Sequence, residues 1–117
     1  MAFLCKLKKR DGTLLSISSP KSIAQVQGTS GSLELEPEIL YICGELASLS
    51  FSLNSIGDNG VAGEYHIMFQ SGNTPTTVIY PSGLWYPDGV APTIESNRKY
   101  EFHIVNNCLG YQSYAQL

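Results

Sequence analysis

A chain of 117 residues holds one domain, and at that size buries roughly two-thirds of its unfolded surface in a single core. Ten acidic residues against seven basic give a formal charge of −3, which argues against a broad nucleic-acid surface, because neutralising phosphates needs net positive charge. No apolar run is long enough to span a bilayer, and the opening MAFLCKLKKRDG places its charges after its first apolar residues, unlike a signal peptide. The expectation is synthesis and folding in a reducing cytoplasm, without membrane insertion.

From the N-terminus, FLCKLKK and TLLSI flank Asp11-Gly12, a dipeptide that readily takes the positive φ of a tight hairpin turn. Phe3, Cys5 and Leu7 share one face of the first strand, and Lys6 and Lys8 share the other. No segment shows a convincing helical stripe; the best candidate, SPKSIAQVQ, Ser19 to Gln27, would make roughly one or two turns at most. QGTSGS, Gln27 to Ser32, is small, polar and glycine-rich, as a flexible joint is. The expected boundaries are residues 1–31 for an N-terminal hairpin and linker, and 32–117 for an all-β body.

In the body, alternation at period two dominates. Ala47, Leu49, Phe51 and Leu53 alternate with Ser48, Ser50 and Ser52; Tyr65, Ile67 and Phe69 alternate with Glu64, His66 and Met68; Tyr100, Phe102 and Ile104 alternate with Glu101, His103 and Val105. Each is a strand with one dry face. Asn59-Gly60 and Asn106-Asn107 supply turns before EYHIMF and after EFHIV, and YPDG, Tyr86 to Gly89, reads as a type I turn. The spacing predicts about six or seven short strands in an antiparallel β-sandwich, with a jelly-roll-like variant as the other form.

The two histidines each follow a glutamate by two residues, in EYHI and EFHI. If the two strands were neighbours in register, these side chains would cluster, yet zinc usually takes three or four converging ligands, and His–Glu pairs are common on sheet surfaces. No metal site and no cofactor are expected. PSGLW is not a nucleophile elbow, SGNTP is too short for a phosphate loop, and Cys108 lacks a His and Asn context, so no catalytic residue and no enzyme are expected. Cys5, Cys43 and Cys108 match neither a CxxC pair nor a disulfide framework and read as small buried hydrophobes.

Two stretches keep two readings each. Lys6, Lys8, Lys9 and Arg10 are either a solvated edge that discourages aggregation or a positive face that docks on an acidic partner. The loop IYPSGLWYPDGVAP sets Tyr80, Trp85 and Tyr86 among prolines and glycines. It either plugs one end of the sandwich with Leu84 and Trp85, the preferred reading, or presents rigid aromatics on which a glycan stacks.

The stretch Glu64 to Asn107 resembles a module of structural proteins from tailed phages and prophages of gut bacteria. The pattern is a strand ending in Phe-x-Ser/Thr-Gly, a Thr-rich strand running into a proline, a Trp, then Pro-x-Ile-x-x-Asn-x-x-Tyr-Glu-x-x-Ile. Phe69, Ser71, Gly72, Pro81, Trp85, Pro92, Ile94, Asn97, Tyr100, Glu101 and Ile104 stand at those places. The resemblance implies a β-sandwich unit of a virion: capsid decoration, head fibre or tail-associated protein, in multiple copies as a homo-oligomer. Its partners would be other virion proteins, with a host-surface glycan as a further one. On this reading the N-terminal segment attaches to the particle, with Phe3, Leu7, Leu15, Ile17, Lys6 and Lys8 as assembly contacts. A stand-alone carbohydrate-binding module using Tyr80, Trp85 and Tyr86 is the alternative.

Overall fold

The computed structural model describes residues 5–8, 14–17, 22–54 and 63–116. Among them lie ten strands: β1 (Cys5–Lys8), β2 (Leu14–Ile17), β3 (Ser22–Val26), β4 (Ser30–Leu35), β5 (Ile39–Glu45), β6 (Ser48–Leu53), β7 (Glu64–Gln70), β8 (Thr77–Ile79), β9 (Arg98–Val105) and β10 (Cys108–Ala115). The one helical element among the described residues is a 3-10 turn at Pro87–Gly89. β1 and β2 pair antiparallel with each other, Cys5 opposite Ile17 and Leu7 opposite Leu15. The remaining strands form two packed sheets, one of five strands in the order β10-β9-β7-β5-β3 and one of three in the order β4-β6-β8. Phe3 and the turns expected at Asp11-Gly12 and Asn59-Gly60 lie outside the described residues.

The chain builds both sheets at once. β3, β5 and β7 run parallel in the larger sheet, and β4, β6 and β8 run parallel in the smaller, so consecutive strands are successive sides of a coil. Pairing is therefore mixed, and the expected antiparallel arrangement, with its jelly-roll variant, is corrected on this point. Within the two sheets, the antiparallel pairs are β7 with β9 and β9 with β10. The cause lies in the connections. Short links at 27–29 and 36–38, bent by Gly28 at φ 101° and Glu38 at φ 66°, carry the chain across the core to the opposite sheet instead of back along its own. Alternation at period two is the same either way, so it does not report the difference.

Two N-terminal expectations change with the coil. The helical candidate Ser19–Gln27 contains β3, whose Ile23 and Val26 favour extended backbone and which lies parallel to β5, Ser22 opposite Ile39 and Val26 opposite Cys43. The flexible joint expected at Gln27–Ser32 is instead a turn and the beginning of β4, paired along β6 from Ser30 opposite Ser48.

The core lies between the sheets. Leu35, Leu49 and Phe51 of the smaller sheet meet Tyr41, Cys43, Tyr65, Ile67, Phe69, Tyr100, Phe102, Ile104 and Leu109 of the larger. These are the dry faces that alternation marks in β6, β7 and β9. Phe69 joins the layer through Tyr100, stacked at 5.5 Å, and Phe102, edge-on at 5.2 Å, geometries that aromatic quadrupoles favour.

Tyrosine-clamped turns open two strands of the larger sheet. The Glu95 amide donates to the Tyr100 hydroxyl oxygen at 2.7 Å, and the Glu36 amide donates to that of Tyr41 at 2.9 Å. Each turn holds a non-glycine residue at positive φ, Asn97 at 57° and Glu38 at 66°. Ser71, fully buried, fastens the end of β7 to the turn before β9: its hydroxyl donates to the Glu95 carbonyl at 2.5 Å and accepts the Arg98 amide at 3.1 Å.

Candidate functional site

Among the described residues the smaller sheet has no strand beyond β8, and in its place the loop from Tyr80 to Asn97 packs Tyr80, Leu84, Tyr86 and Ile94 against the core. At its middle the loop is tied to the start of β10, where the Trp85 amide donates to the Asn107 carbonyl at 2.7 Å and the Leu109 amide to the Trp85 carbonyl at 2.9 Å. The β9–β10 turn itself is as expected, with Asn106 and Asn107 at φ 52° and 60°. YPDG differs from the expected type I turn because Asp88 stands at φ 55°, a left-handed position that type I lacks.

The loop aromatics separate into support and surface. Tyr80 is half-buried, its ring 6.1 Å from Phe51, 6.0 Å from Phe102 and 5.6 Å from Tyr86. Burial, followed by the neighbouring tyrosines 86, 111 and 100, pushes its phenol up to about 12. Leu84 and Tyr86 also pack against the core. Trp85 does not: it is 73% exposed. The expected plug is therefore Leu84 with Tyr80 and Tyr86, and Trp85 is corrected to a surface residue. Its backbone bridges to β10, and the core beneath is already filled by its neighbours.

Between residues 87–95 of this loop and the edge of β9 and β10 lies an open trough of about 650 Å³. Its lining includes Tyr111 and Ser113 of β10, the apolar Val90, and the charged Asp88, Glu95 and Arg98, with the buried Tyr100 and Pro92 beneath. Tyr111 is 40% exposed, and its ring is held edge-on to Phe102 at 6.4 Å. Arg98 is held in turn, its Nε donating to Ser113 Oγ at 2.5 Å and lying 4.0 Å from Glu95 Oε1. Tyr100 and Pro92 stand out in the sequence as core and turn residues, but nothing in it groups them with Tyr111, Ser113, Glu95 and Arg98. The signal that could have found them is the Asn106-Asn107 turn, which fixes the register of β10 and sets Tyr111 opposite Phe102 and Ser113 opposite Tyr100.

The Glu/His echo folds into direct neighbours, on the face away from the inter-sheet core. His66 stands opposite His103, and Met68 opposite Glu101. The His103 ring occupies the space that a Cβ on Gly110 would need, so a larger residue at that cross-strand position would displace the ring. His66 is 7% exposed, and among the described residues its Nε2 has no hydrogen-bond partner. Burial holds its imidazole below the usual histidine range; nearby Glu64 and Glu101 oppose that shift, and His103 adds to it. Among the described residues no group of three or more His, Cys, Asp or Glu side chains is placed to hold a metal ion.

The cysteines divide by environment. Cys43 is a buried core residue whose thiol is pushed up to about 11 by burial. Cys108 is exposed and free, so its reading as a buried hydrophobe is corrected: it starts β10 beside the turn. Leu7, Leu15, Ile17, Lys6 and Lys8 lie on β1 and β2. No helix among the described residues is long and apolar enough to cross a membrane.

No protein family, no curated protein and no solved structure matches this chain.

Proposed function

We propose that the chain is a non-enzymatic structural protein of a phage virion, a capsid-decoration, head-fibre or tail-associated unit present in multiple copies. The observation that carries this reading is the open first turn of the coil. β3 and β4 are the edge strands of both sheets at the same end, and β3, sequence SIAQV, carries no charge and no proline and leaves Ile23 60% exposed. Edge strands of free-standing proteins are usually blunted by such residues, and an unblunted edge invites strand addition from a partner.

Charge distribution supports the same reading. Five of the seven basic residues, but one of the ten acidic ones, precede Ser22, so a basic N-terminal segment precedes an acidic sandwich-like body. Such a chain suits contact with an acidic virion surface, including the body of the next copy, and repeated copies add avidity. The residues that carry the phage resemblance support an architectural role too, since Ser71, Asn97 and Tyr100 hold turns and strand ends in place.

Truncation at Ser22 tests attachment while keeping every strand of the two sheets. The expected result is a body that stays folded and no longer binds particles that capture the full-length chain. A truncated body that binds as well as the intact chain, or that unfolds, overturns the attachment role.

One observation favours the carbohydrate reading instead: Trp85 presents its ring to solvent within a loop stiffened by Pro81 and Pro87, as sugar-stacking aromatics do.

A further inference from the structure

We infer that the trough between residues 87–95 and the β9–β10 edge is a saccharide-binding site for a neutral, pyranose-containing glycan. It shares its ligand class with the Trp85 reading but uses different residues, and it does not depend on the virion role.

The chemistry follows from what faces the trough. A pyranose ring has an apolar face of C–H groups and a rim of hydroxyls, so it is held by an aromatic ring under the one and planar polar groups around the other. Tyr111 supplies a part-exposed ring that stands edge-on to Phe102 at 6.4 Å. Asp88, Glu95 and Arg98 supply the planar groups, each able to engage two neighbouring hydroxyls at once. Arg98 is positioned before any ligand arrives, by its bond to Ser113 and its approach to Glu95, which lowers the ordering cost of binding. Val90, 67% exposed, extends the apolar wall. The volume of about 650 Å³ falls within the roughly 300–1,000 Å³ of ligand sites.

Charge sets the class. The two carboxylates outnumber the one guanidinium, and that guanidinium already faces Glu95, so an anionic sugar would meet net repulsion and a neutral one would not. A lysine-rich peptide is the competing occupant of an acidic trough, and the same experiment separates it.

The full-length chain is read on an array of neutral, sialylated and sulfated oligosaccharides, then titrated by amide NMR with the strongest neutral glycan and, separately, with a lysine-rich peptide. The expected result is binding of neutral glycans, saturable shifts at Asp88, Glu95, Arg98, Tyr111 and Ser113, and affinity at least about tenfold weaker in Tyr111→Ala and in Asp88→Asn. Trp85→Ala binds as the parent does. Should Tyr111→Ala unfold, Asp88→Asn and Glu95→Gln, both at exposed positions, carry the test. A silent array, a preference for anionic glycans, or trough shifts produced by the peptide alone overturns the inference. Glycan shifts centred on Trp85 and abolished in Trp85→Ala overturn it too, while upholding the Trp85 platform.

Discussion

The Tyr100 hydroxyl oxygen accepts the amide hydrogen of Glu95 at 2.7 Å, closing the turn that aims β9 back into the sheet. Its ring is 2% exposed and stacked on Phe69, so one side chain is both a core residue and a cap for the backbone. Tyr100→Phe keeps the ring and deletes the acceptor. The expected loss is about 1–3 kcal/mol, the cost of leaving a part-buried donor unpaired, measured as a shift of the urea midpoint at unchanged slope. A Tyr100→Phe protein as stable as the parent would show that the turn holds itself.

His66 makes stability depend on pH with a definite sign. Its folded-state imidazole titrates below the unfolded value of about 6.5, so the unfolded chain binds the proton first. Its contribution is present above pH ~6.5 and is lost as pH falls from there through the folded value. The melting temperature should drop between pH 7 and pH 5, and His66→Leu, which removes the titrating group, should flatten that drop. An equal drop in His66→Leu would move the effect to other groups.

Much of the core was legible because alternation writes the dry face directly: Tyr65, Ile67, Phe69, Tyr100, Phe102 and Ile104 are all buried. The connectivity was not, because a strand that crosses to the opposite sheet and one that turns back in a hairpin have the same period. The strand character of β3 was not legible for a related reason. Its residues are partly or fully exposed, so no dry face marks it, and its strand character comes from pairing with β5. The trough was hidden because its residues come from a loop and two strands that register alone brings together. The exposure of Trp85 was not legible because an aromatic between proline and glycine reads alike as plug or platform.

Cys43 and Cys108 should differ sharply toward alkylation. With its thiol at about 11 and its side chain in the core, Cys43 has almost no accessible thiolate near neutrality, whereas Cys108 is exposed. Brief iodoacetamide treatment of the folded chain at pH 8, read by peptide mass spectrometry, should modify Cys108 and spare Cys43. Modification of both at equal rates would mean that the sheets open on that timescale.

Trp85→Ala should change stability by no more than about 0.5 kcal/mol, as exposed substitutions do, because the contacts that hold this loop to β10 are made by its backbone. In the parent protein its fluorescence should be red-shifted and freely quenched by iodide. A blue-shifted, protected emission would place the indole in an apolar contact instead.

The assembly role is tested most directly by quantitative mass spectrometry of density-purified particles from a host strain carrying the gene. The protein should band with the particles, in a fixed copy number relative to the major capsid or tail protein, and remain after a high-salt wash that strips adventitious host proteins. Expression in the lysate with absence from the purified particles would contradict a structural role in the virion.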